Sequence, residues 1–266
     1  MYFVLLTVFA CLSTFHCFIQ KDVKKNESHC GLLKQWLESS LVTMEITKTG
    51  FHREVVTTVV LSPGVLSPGV LSPGVLSPGV LSPSVLSGVR VVLVQRWPRG
   101  VYVDPYQLAS LSEQSNWQIL IDSAIDLEVP AHKTEGFVTY VYPALDGPTP
   151  RLKVTIPIHG RYHKPSYDGL TFTSVEIEHP ELLLRTEKCP QLNNVEPHAV
   201  VDAPCTHDNS SMCPWVKLQQ QERGPTRVQL PVGDGSLVAP VCGGTLLVTM
   251  LCCAALSKHM WEHRIM

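Results

Sequence analysis

Apolar side chains are distributed along this chain in two ways, as uninterrupted runs near the ends and as short alternating stretches between them. From Tyr2 to Phe18 no residue is charged, and Phe3, Val4, Leu5, Leu6, Val8, Phe9, Leu12 and Phe15 precede Lys21, Asp22, Lys24 and Lys25. A run this short, near the N-terminus and followed by polar sequence, predicts a signal peptide over residues 1–17. Leu237 to Leu256 is a second run, 20 residues without a charge. At the helical rise it reaches about 30 Å, the thickness of the hydrocarbon layer, and predicts a transmembrane helix. Pro240, Gly243 and Gly244 lie within it. Lipid tolerates such residues, and small ones let a second helix come close, so Gly243 and Gly244 are candidate partner contacts. Lys258, His259, His263 and Arg264 follow the run, which predicts a cytoplasmic tail over 257–266 and a type I orientation. A glycolipid-attachment signal would instead end in its hydrophobic tail.

Between the runs the period is two. In Arg151–His159, Leu152, Val154, Ile156 and Ile158 alternate with polar neighbours, so one strand face buries four apolar side chains. Pro157 lacks a ladder donor and predicts that this strand lies at a sheet edge or at least turns that nitrogen away from pairing. The β-branched runs Phe51–Val60 and Val89–Gln95 predict a hairpin. Weaker alternation marks Ile125–Val129, Phe137–Tyr142, Phe172–Ile177 and Val228–Val232. Turn signals at Gly100, Asp104-Pro105, Gly147-Pro148 and Asp168-Gly169 separate these runs, as in an antiparallel β-sandwich. Helix is limited to Leu32–Leu37 and Gln107–Leu111. The fold class is therefore all-β, an antiparallel β-sandwich-like lumenal domain over 48–235 with one C-terminal transmembrane helix, preceded by an N-terminal segment over 18–47.

The connection of the expected hairpin is low in complexity. Leu-Ser-Pro-Gly-Val occurs four times from Leu61 to Val80, followed by Leu81-Ser-Pro-Ser-Val85 and a truncated Leu86-Ser-Gly. Proline and glycine make each unit a turn, and its Val-Leu pairs are too sparse to bury a core, so residues 61–88 read as an expanded loop.

Cysteine usage and sequons refine the compartment. Cys30, Cys189, Cys205 and Cys213 fall between the two apolar runs, whereas Cys11 and Cys17 lie in the first region and Cys242, Cys252 and Cys253 in the second. Four cysteines in an oxidising lumen permit two disulfides in three connectivities. Cys205 and Cys213 flank a short polar loop suited to a local bridge. The absence of a C-x2-C spacing argues against zinc. Asn26-Glu27-Ser28 and Asn209-Ser210-Ser211 are glycosylation sequons. With 21 basic and 23 acidic residues there is no cationic footprint for nucleic acid.

Candidate chemistry is sparse. No Gly-x-Ser-x-Gly elbow, His-Glu-x-x-His motif or phosphate-cradling loop with its lysine occurs. His159 and His163 would share a strand face and could bind metal with His198 or His207, yet at the end of a strand Arg161, Tyr162 and His163 read better as docking groups. Asp122 with Asp126, and Glu176 with Glu178, read as solvated strand faces. Neither a catalytic residue nor a cofactor is expected.

Two stretches, Trp97-Pro-Arg-Gly-Val-Tyr-Val-Asp-Pro-Tyr-Gln-Leu108 and Ile156-Pro-Ile-His-Gly-Arg-Tyr-His-Lys-Pro165, resemble the PIG-X family. The Gly-x-Tyr-x-Asp-Pro-Tyr element at Gly100–Tyr106 and the Arg-Tyr-His-x-Pro element at Arg161–Pro165 are specific in this order before a C-terminal span. The resemblance begins near Gly50-Phe51-His52-Arg53 and covers most of the remaining chain. It implies a small, non-catalytic subunit of glycosylphosphatidylinositol (GPI) mannosyltransferase I in the endoplasmic reticulum membrane, stabilising the multi-pass catalytic subunit PIG-M. Tyr102, Asp104 and Tyr106 thereby join Arg161, Tyr162 and His163 as candidate partner contacts. The repeat departs from the family pattern, and so do Val89 and Gly160, near which that pattern carries cysteines. The joint absence of these cysteines implies a lost disulfide. Two other classes fit a signal, glycans, disulfides and one span: a cell-surface adhesion or receptor ectodomain, and an enzyme acting on lipid-linked sugar through His159, Asp104 and His163.

Overall fold

The computed structural model describes residues 30, 40–61, 88–145, 151–186, 199–209, 211–218 and 223–263. The expected signal peptide, the Leu32–Leu37 helix, the repeat from 62 to 87, the Gly147-Pro148 turn, Asn26, Cys189 and His198 lie outside them.

Among the described residues, twelve strands, β1 (Leu41–Thr47), β2 (His52–Val60), β3 (Val89–Trp97), β4 (Val101–Tyr102), β5 (Trp117–Ile121), β6 (Phe137–Pro143), β7 (Arg151–Gly160), β8 (Phe172–Ile177), β9 (Glu181–Thr186), β10 (Ala199–Pro204), β11 (Met212–Lys217) and β12 (Thr226–Pro231), build the β domain. Helix α1 (Pro105–Glu113) lies between β4 and β5, and α2 (Val238–Glu262) follows β12. The strands form three antiparallel sheets, ordered β1-β2-β7-β4, β10-β11-β9-β3-β6-β5 and β12-β8. The all-β expectation therefore holds.

The two larger sheets face each other across one core. Val55, Val59, Val154, Ile156 and Ile158 from the first meet Val91, Leu93, Val141, Leu182 and Leu184 from the second. Val175, Ile177, Val228 and Leu230 of the small sheet join the same cluster. The period of two is visible in the burial: Val154, Ile156 and Ile158 are buried while Lys153 points outward, and β6 alternates along its whole length. Strand β3 departs from alternation because both of its faces are covered. Val92 and Val94 on its outer side pack with Leu183, Ala203 and Trp215. Each such fully buried aliphatic side chain contributes about 1.5–3 kcal/mol relative to exposure.

Several expectations are corrected. The runs flanking the repeat do not form a hairpin: β2 pairs with β1 and β7, whereas β3 pairs with β6 and β9. Both edges of β2 are taken, and a strand apolar on both faces belongs inside the other sheet, so the chain changes sheets between Val60 and Val89. Ile125–Val129 is not a strand. Asp126 Oδ1 accepts the Glu128 amide at 3.0 Å, and the Val129 carbonyl accepts from Arg161, so local and side-chain bonds replace a ladder. Leu41–Thr47, assigned by sequence to a segment before the domain, supplies β1 and pairs with β2 over all seven of its residues. Val89 and Gly160 themselves are not within bridging reach of one another in this chain. These positions lie near opposite ends of the sandwich, because β3 runs for about 26 Å between Val89 and Trp97 and Gly160 pairs with Val101, just past that far end. A disulfide needs Cα atoms within about 7 Å.

The local cysteine bridge across Thr206–Met212 is present: Cys205 and Cys213 are disulfide-linked with Cα atoms 5.1 Å apart. Cys30 is also disulfide-bonded. Strand β7 pairs with β2 from Arg151 to His159 and with β4 only at His159 and Gly160. Among the described residues the stretch through Pro157 is thus open on one side, as a proline in a ladder requires.

Candidate functional site

The two motif stretches meet where β4 joins the end of β7. Val101 pairs with Gly160 and Tyr102 with His159, and the Arg161 amide donates to the Gly100 carbonyl at 2.9 Å. The Pro98–Val101 turn that starts β4 closes with a bond from the Val101 amide to the Pro98 carbonyl. Gly100 is needed there, because a Cβ would lie 2.6 Å from Val175 Cγ2. Gly160 meets the same constraint, with Leu230 Cδ2 at 2.7 Å and Phe51 Cδ1 at 2.9 Å from where its Cβ would stand.

Asp104 lies between β4 and α1 and starts the helix. Its Oδ1 accepts the amides of Tyr106 at 2.9 Å and Gln107 at 3.4 Å, and Pro105 occupies the first turn. This is an N-cap, which leaves that carboxylate oxygen committed to the helix. Leu108, buried on the inner side, seats α1 on the core.

Arg161 is the centre of the corner. Only 4% of it is exposed, its Nη1 donates to the Val129 carbonyl at 2.6 Å, and its Cζ sits 4.8 Å from the Tyr102 ring centroid. Charge-assisted bonding and the cation–π contact offset part of the cost of burying the guanidinium, whose Nε has no hydrogen-bond partner. Burial lowers the Arg161 pKa, opposed by Tyr102 and Asp126. Burial likewise raises that of the Tyr102 phenol, opposed by Arg161 and assisted by Asp104 and Glu128. The Tyr162 carbonyl accepts the Ala131 amide, so residues flanking β7 pin the loop that sequence had read as a strand.

His159 lies between rings, 5.0 Å from Tyr102 in a stacked arrangement and 4.4 Å from His52 edge-on. Its Nε2 is 3.1 Å from Gln107 Oε1. Burial and then His52 lower its pKa, with Asp104 opposing. His163 belongs to a different environment. Strand β7 ends at Gly160, so the expected common face for His159 and His163 does not exist. His163 Nε2 is buried without a hydrogen-bond partner, and burial, Arg99 and His132 lower its pKa. His207 lies elsewhere, 6.5 Å from Tyr142. Among the described residues no three His, Cys, Asp or Glu side chains converge as ligands.

Three of the four carboxylates in the expected pairs have structural partners. Asp122 accepts the Val138 amide, Asp126 caps a turn, and Glu176 bonds Arg227 at 2.9 Å. The arrangement therefore offers no base held against a nucleophile. Its outward groups are Tyr106, 82% exposed, and Tyr162, 75% exposed, the latter 5.1 Å from the Phe51 ring. Of the six candidate contacts in the corner, Tyr102, Asp104, Arg161 and His163 are engaged or turned inward, and Tyr106 and Tyr162 face out. Sequence reasoning did not single out His52 and Gln107, although His52 stands in the Gly50–Arg53 stretch that opens the resemblance. Gln107 carries no signal of its own beyond its place one helical turn after the cap.

The remaining candidates lie apart from the corner. Gly243 and Gly244 are in α2, where no residue is buried, and a Cβ at either would meet nothing within 4 Å. The segment Gly235–Glu262 is long and apolar enough to cross a membrane. Asn209 is exposed, and its Oδ1 accepts both the amide and the hydroxyl of Ser211 at 2.8 Å.

Comparison with known proteins matches residues 48–261 to the family model described as PIG-X / PBN1. Three curated proteins named GPI alpha-1,4-mannosyltransferase I, stabilizing subunit, are similar over 216 residues, or 80% of this chain. The Homo sapiens protein is 28% identical with 76% of its length covered. The Rattus norvegicus and Mus musculus proteins are each 26% identical, with 78% and 77% covered. No solved structure matches.

Proposed function

We propose, since this chain belongs to the PIG-X / PBN1 family, that it is a non-catalytic stabilising subunit of GPI mannosyltransferase I. The observation that carries this reading is the family match over residues 48–261, from just after β1 to near the end of α2, together with relatives named as the stabilizing subunit. The corner geometry agrees with it. Asp104 and His159, two of the three residues an enzyme reading would need, are held by α1 and by Gln107, and His163 stands apart from them.

The finer reading is a β domain in the lumen of the endoplasmic reticulum, after removal of residues 1–17, with α2 as a single type I span and 257–266 in the cytoplasm. Its partner is the multi-pass catalytic subunit PIG-M, and the complex transfers the first mannose to the GPI precursor. Tyr106 and Tyr162 contact the partner from the β domain. The Gly243 and Gly244 face of α2 contacts it in the bilayer, because small residues permit close helix approach. The disulfides and a glycan on Asn209 suit that compartment. A surface receptor would share these features but has no support among the relatives.

The test is depletion of this chain from cells, followed by re-expression of the full chain or of a form lacking α2. The expected result is loss of the catalytic subunit and of GPI-anchored surface proteins, restored only by the full chain. Unchanged levels of the catalytic subunit would refute the proposal.

A further inference from the structure

Three large apolar side chains stand exposed close together, two in the loop between β7 and β8 and one at the first residue of β8. Tyr167 is 77%, Leu170 62% and Phe172 55% exposed. Single exposed apolar residues are ordinary on a protein surface, whereas three together mark a contact.

The loop is fixed to the chain segment that leads into α2. The Ser166 amide donates to the Gly233 carbonyl at 2.9 Å, the Gly235 amide to the Ser166 carbonyl at 2.8 Å, and the Val232 amide to the Thr171 carbonyl at 2.9 Å. Phe172 pairs with Pro231. The Tyr167 ring covers Gly235 so closely that a Cβ there would stand 2.7 Å from it. Inside the loop, Ser166 Oγ accepts the amides of Asp168 and Leu170, each at 3.2 Å, and Gly169 takes the positive φ of the turn. Both sides of the loop therefore hold residues 231–235.

Gly235 is where the apolar segment begins. If α2 crosses a bilayer, Gly235 lies at the boundary of the hydrocarbon layer, and groups bonded to it share its depth to within a few Å. We infer that the Ser166–Phe172 loop rests in the interfacial layer of the bilayer that α2 crosses, with Tyr167, Leu170 and Phe172 in contact with lipid. This rests on the reading of α2 as a membrane span. An amphipathic tyrosine suits that layer, and at the other end of α2 Trp261, 83% exposed, marks the opposite interface.

The charges around the loop are mixed. Arg99, His132, His163 and Lys164 line an open cleft beside it, and Glu176 lines the same cleft. Asp168 in the loop and Asp234 before α2 add further carboxylates. Apolar contact rather than attraction to anionic headgroups therefore holds the loop, and the contact is the same in zwitterionic bilayers. Two attachments, α2 and the loop, fix the tilt of the β domain on the membrane and with it the surface offered to the partner.

The test uses the full chain in nanodiscs of zwitterionic lipid, with a polarity-sensitive fluorescent amino acid replacing Leu170, Arg151 or Val248 in turn. Arg151 is at the far end of β7, about 30 Å along the strand from Gly160, and Val248 is in mid-span. The expected result is a blue-shifted emission at 170 that lipids carrying a nitroxide high on the acyl chain quench, strong quenching at 248, and none at 151. Quenching at 248 with 170 as exposed as 151 would overturn the inference while leaving the span intact. No quenching at 248 would overturn the span reading itself. Protection of 170 only with anionic lipid, or only with the catalytic subunit present, would also overturn it, the latter in favour of a protein contact.

Discussion

The β4–β7 corner and helix α2 both hold residues expected to touch a partner, but they treat side chains in opposite ways. In the corner, polar groups close on one another: Asp104 caps α1, Arg161 bonds Val129 and covers Tyr102, and only Tyr106 and Tyr162 are left outside. In α2 nothing is buried, and the hydroxyls of Thr245 and Thr249 satisfy themselves on carbonyls one turn back. The corner satisfies most of its own polar groups, Arg161 Nε and His163 Nε2 excepted, so most of its sequence specificity is architectural. The helix is completed only by its surroundings.

The strongest way to break this contrast is to remove Arg161. Arg161→Ala deletes a charge-assisted bond and a cation–π contact from a buried position, for an expected loss of about 2–4 kcal/mol of folding stability. Thermal unfolding of the full chain in detergent would read it. A midpoint unchanged from wild type would mean that the corner is not self-supporting. Gly100→Ala comes next. The new methyl meets Val175 Cγ2 inside the core, and overpacking of this kind costs about 1–3 kcal/mol. Gly243→Ala in α2, placed in open space, leaves the same midpoint in place.

Much of the fold behind this contrast was legible in the chain. Alternation in Arg151–His159 and Phe137–Tyr142 identified β7 and β6 because each has one face fully buried in the core and the other only partly covered. The apolar run at Leu237–Leu256 identified α2 because its surface is apolar all round. What periodicity could not reveal was pairing. Strands β2 and β3 are neighbours in sequence on either side of the repeat, yet each is bonded to strands far along the chain, and nothing local encodes that choice. Strands β9 and β11 were missed because their burial does not alternate: Leu182, Leu183 and Leu184 are buried consecutively. In the site, composition could mark Arg161, Tyr162 and His163 as a polar cluster. Only the end of β7 at Gly160 determines that Arg161 turns in and Tyr162 turns out.

Acidification probes burial in the corner and, at His179 between β8 and β9, outside it. His159, His163 and His179 all have lowered pKa values, in each case chiefly through burial, with His52, Arg99 together with His132, and Arg223 respectively as the next cause. Asp104 near His159, and a backbone bond from Gly224 at His179, oppose the shift without reversing it. A histidine with a depressed native pKa binds protons more readily when unfolded. The associated stability is complete above the unfolded value of about 6.5 and falls as pH drops below it. The unfolding midpoint is expected to decrease below that pH, and His163→Gln to reduce the decrease. A midpoint that rises on acidification would contradict the closed geometry. Asp104→Ala is smaller again, about 1 kcal/mol for a lost N-cap, with Asp104→Asn retaining most of it because the amide oxygen still accepts.

The smallest effect on stability is the most informative for recognition. Tyr106→Ala and Tyr162→Ala remove side chains that are mostly in solvent, and exposed substitutions of this kind stay within about 0.5 kcal/mol of wild type. Tyr162 carries the larger structural share of the two, since its ring also meets Phe51. If the corner offers these tyrosines to the catalytic subunit, the double variant retains its unfolding midpoint but recovers less of that subunit on co-purification. Exposed tyrosines at protein interfaces combine broad apolar area with a polar tip, so the loss should exceed that of a matched surface change such as Glu45→Ala on β1. Undiminished recovery with the double variant, together with reduced recovery for a Gly243→Leu and Gly244→Leu helix, would move the contact from the corner to α2. The corner would then serve to carry and orient the β domain, and the helix would form the joint.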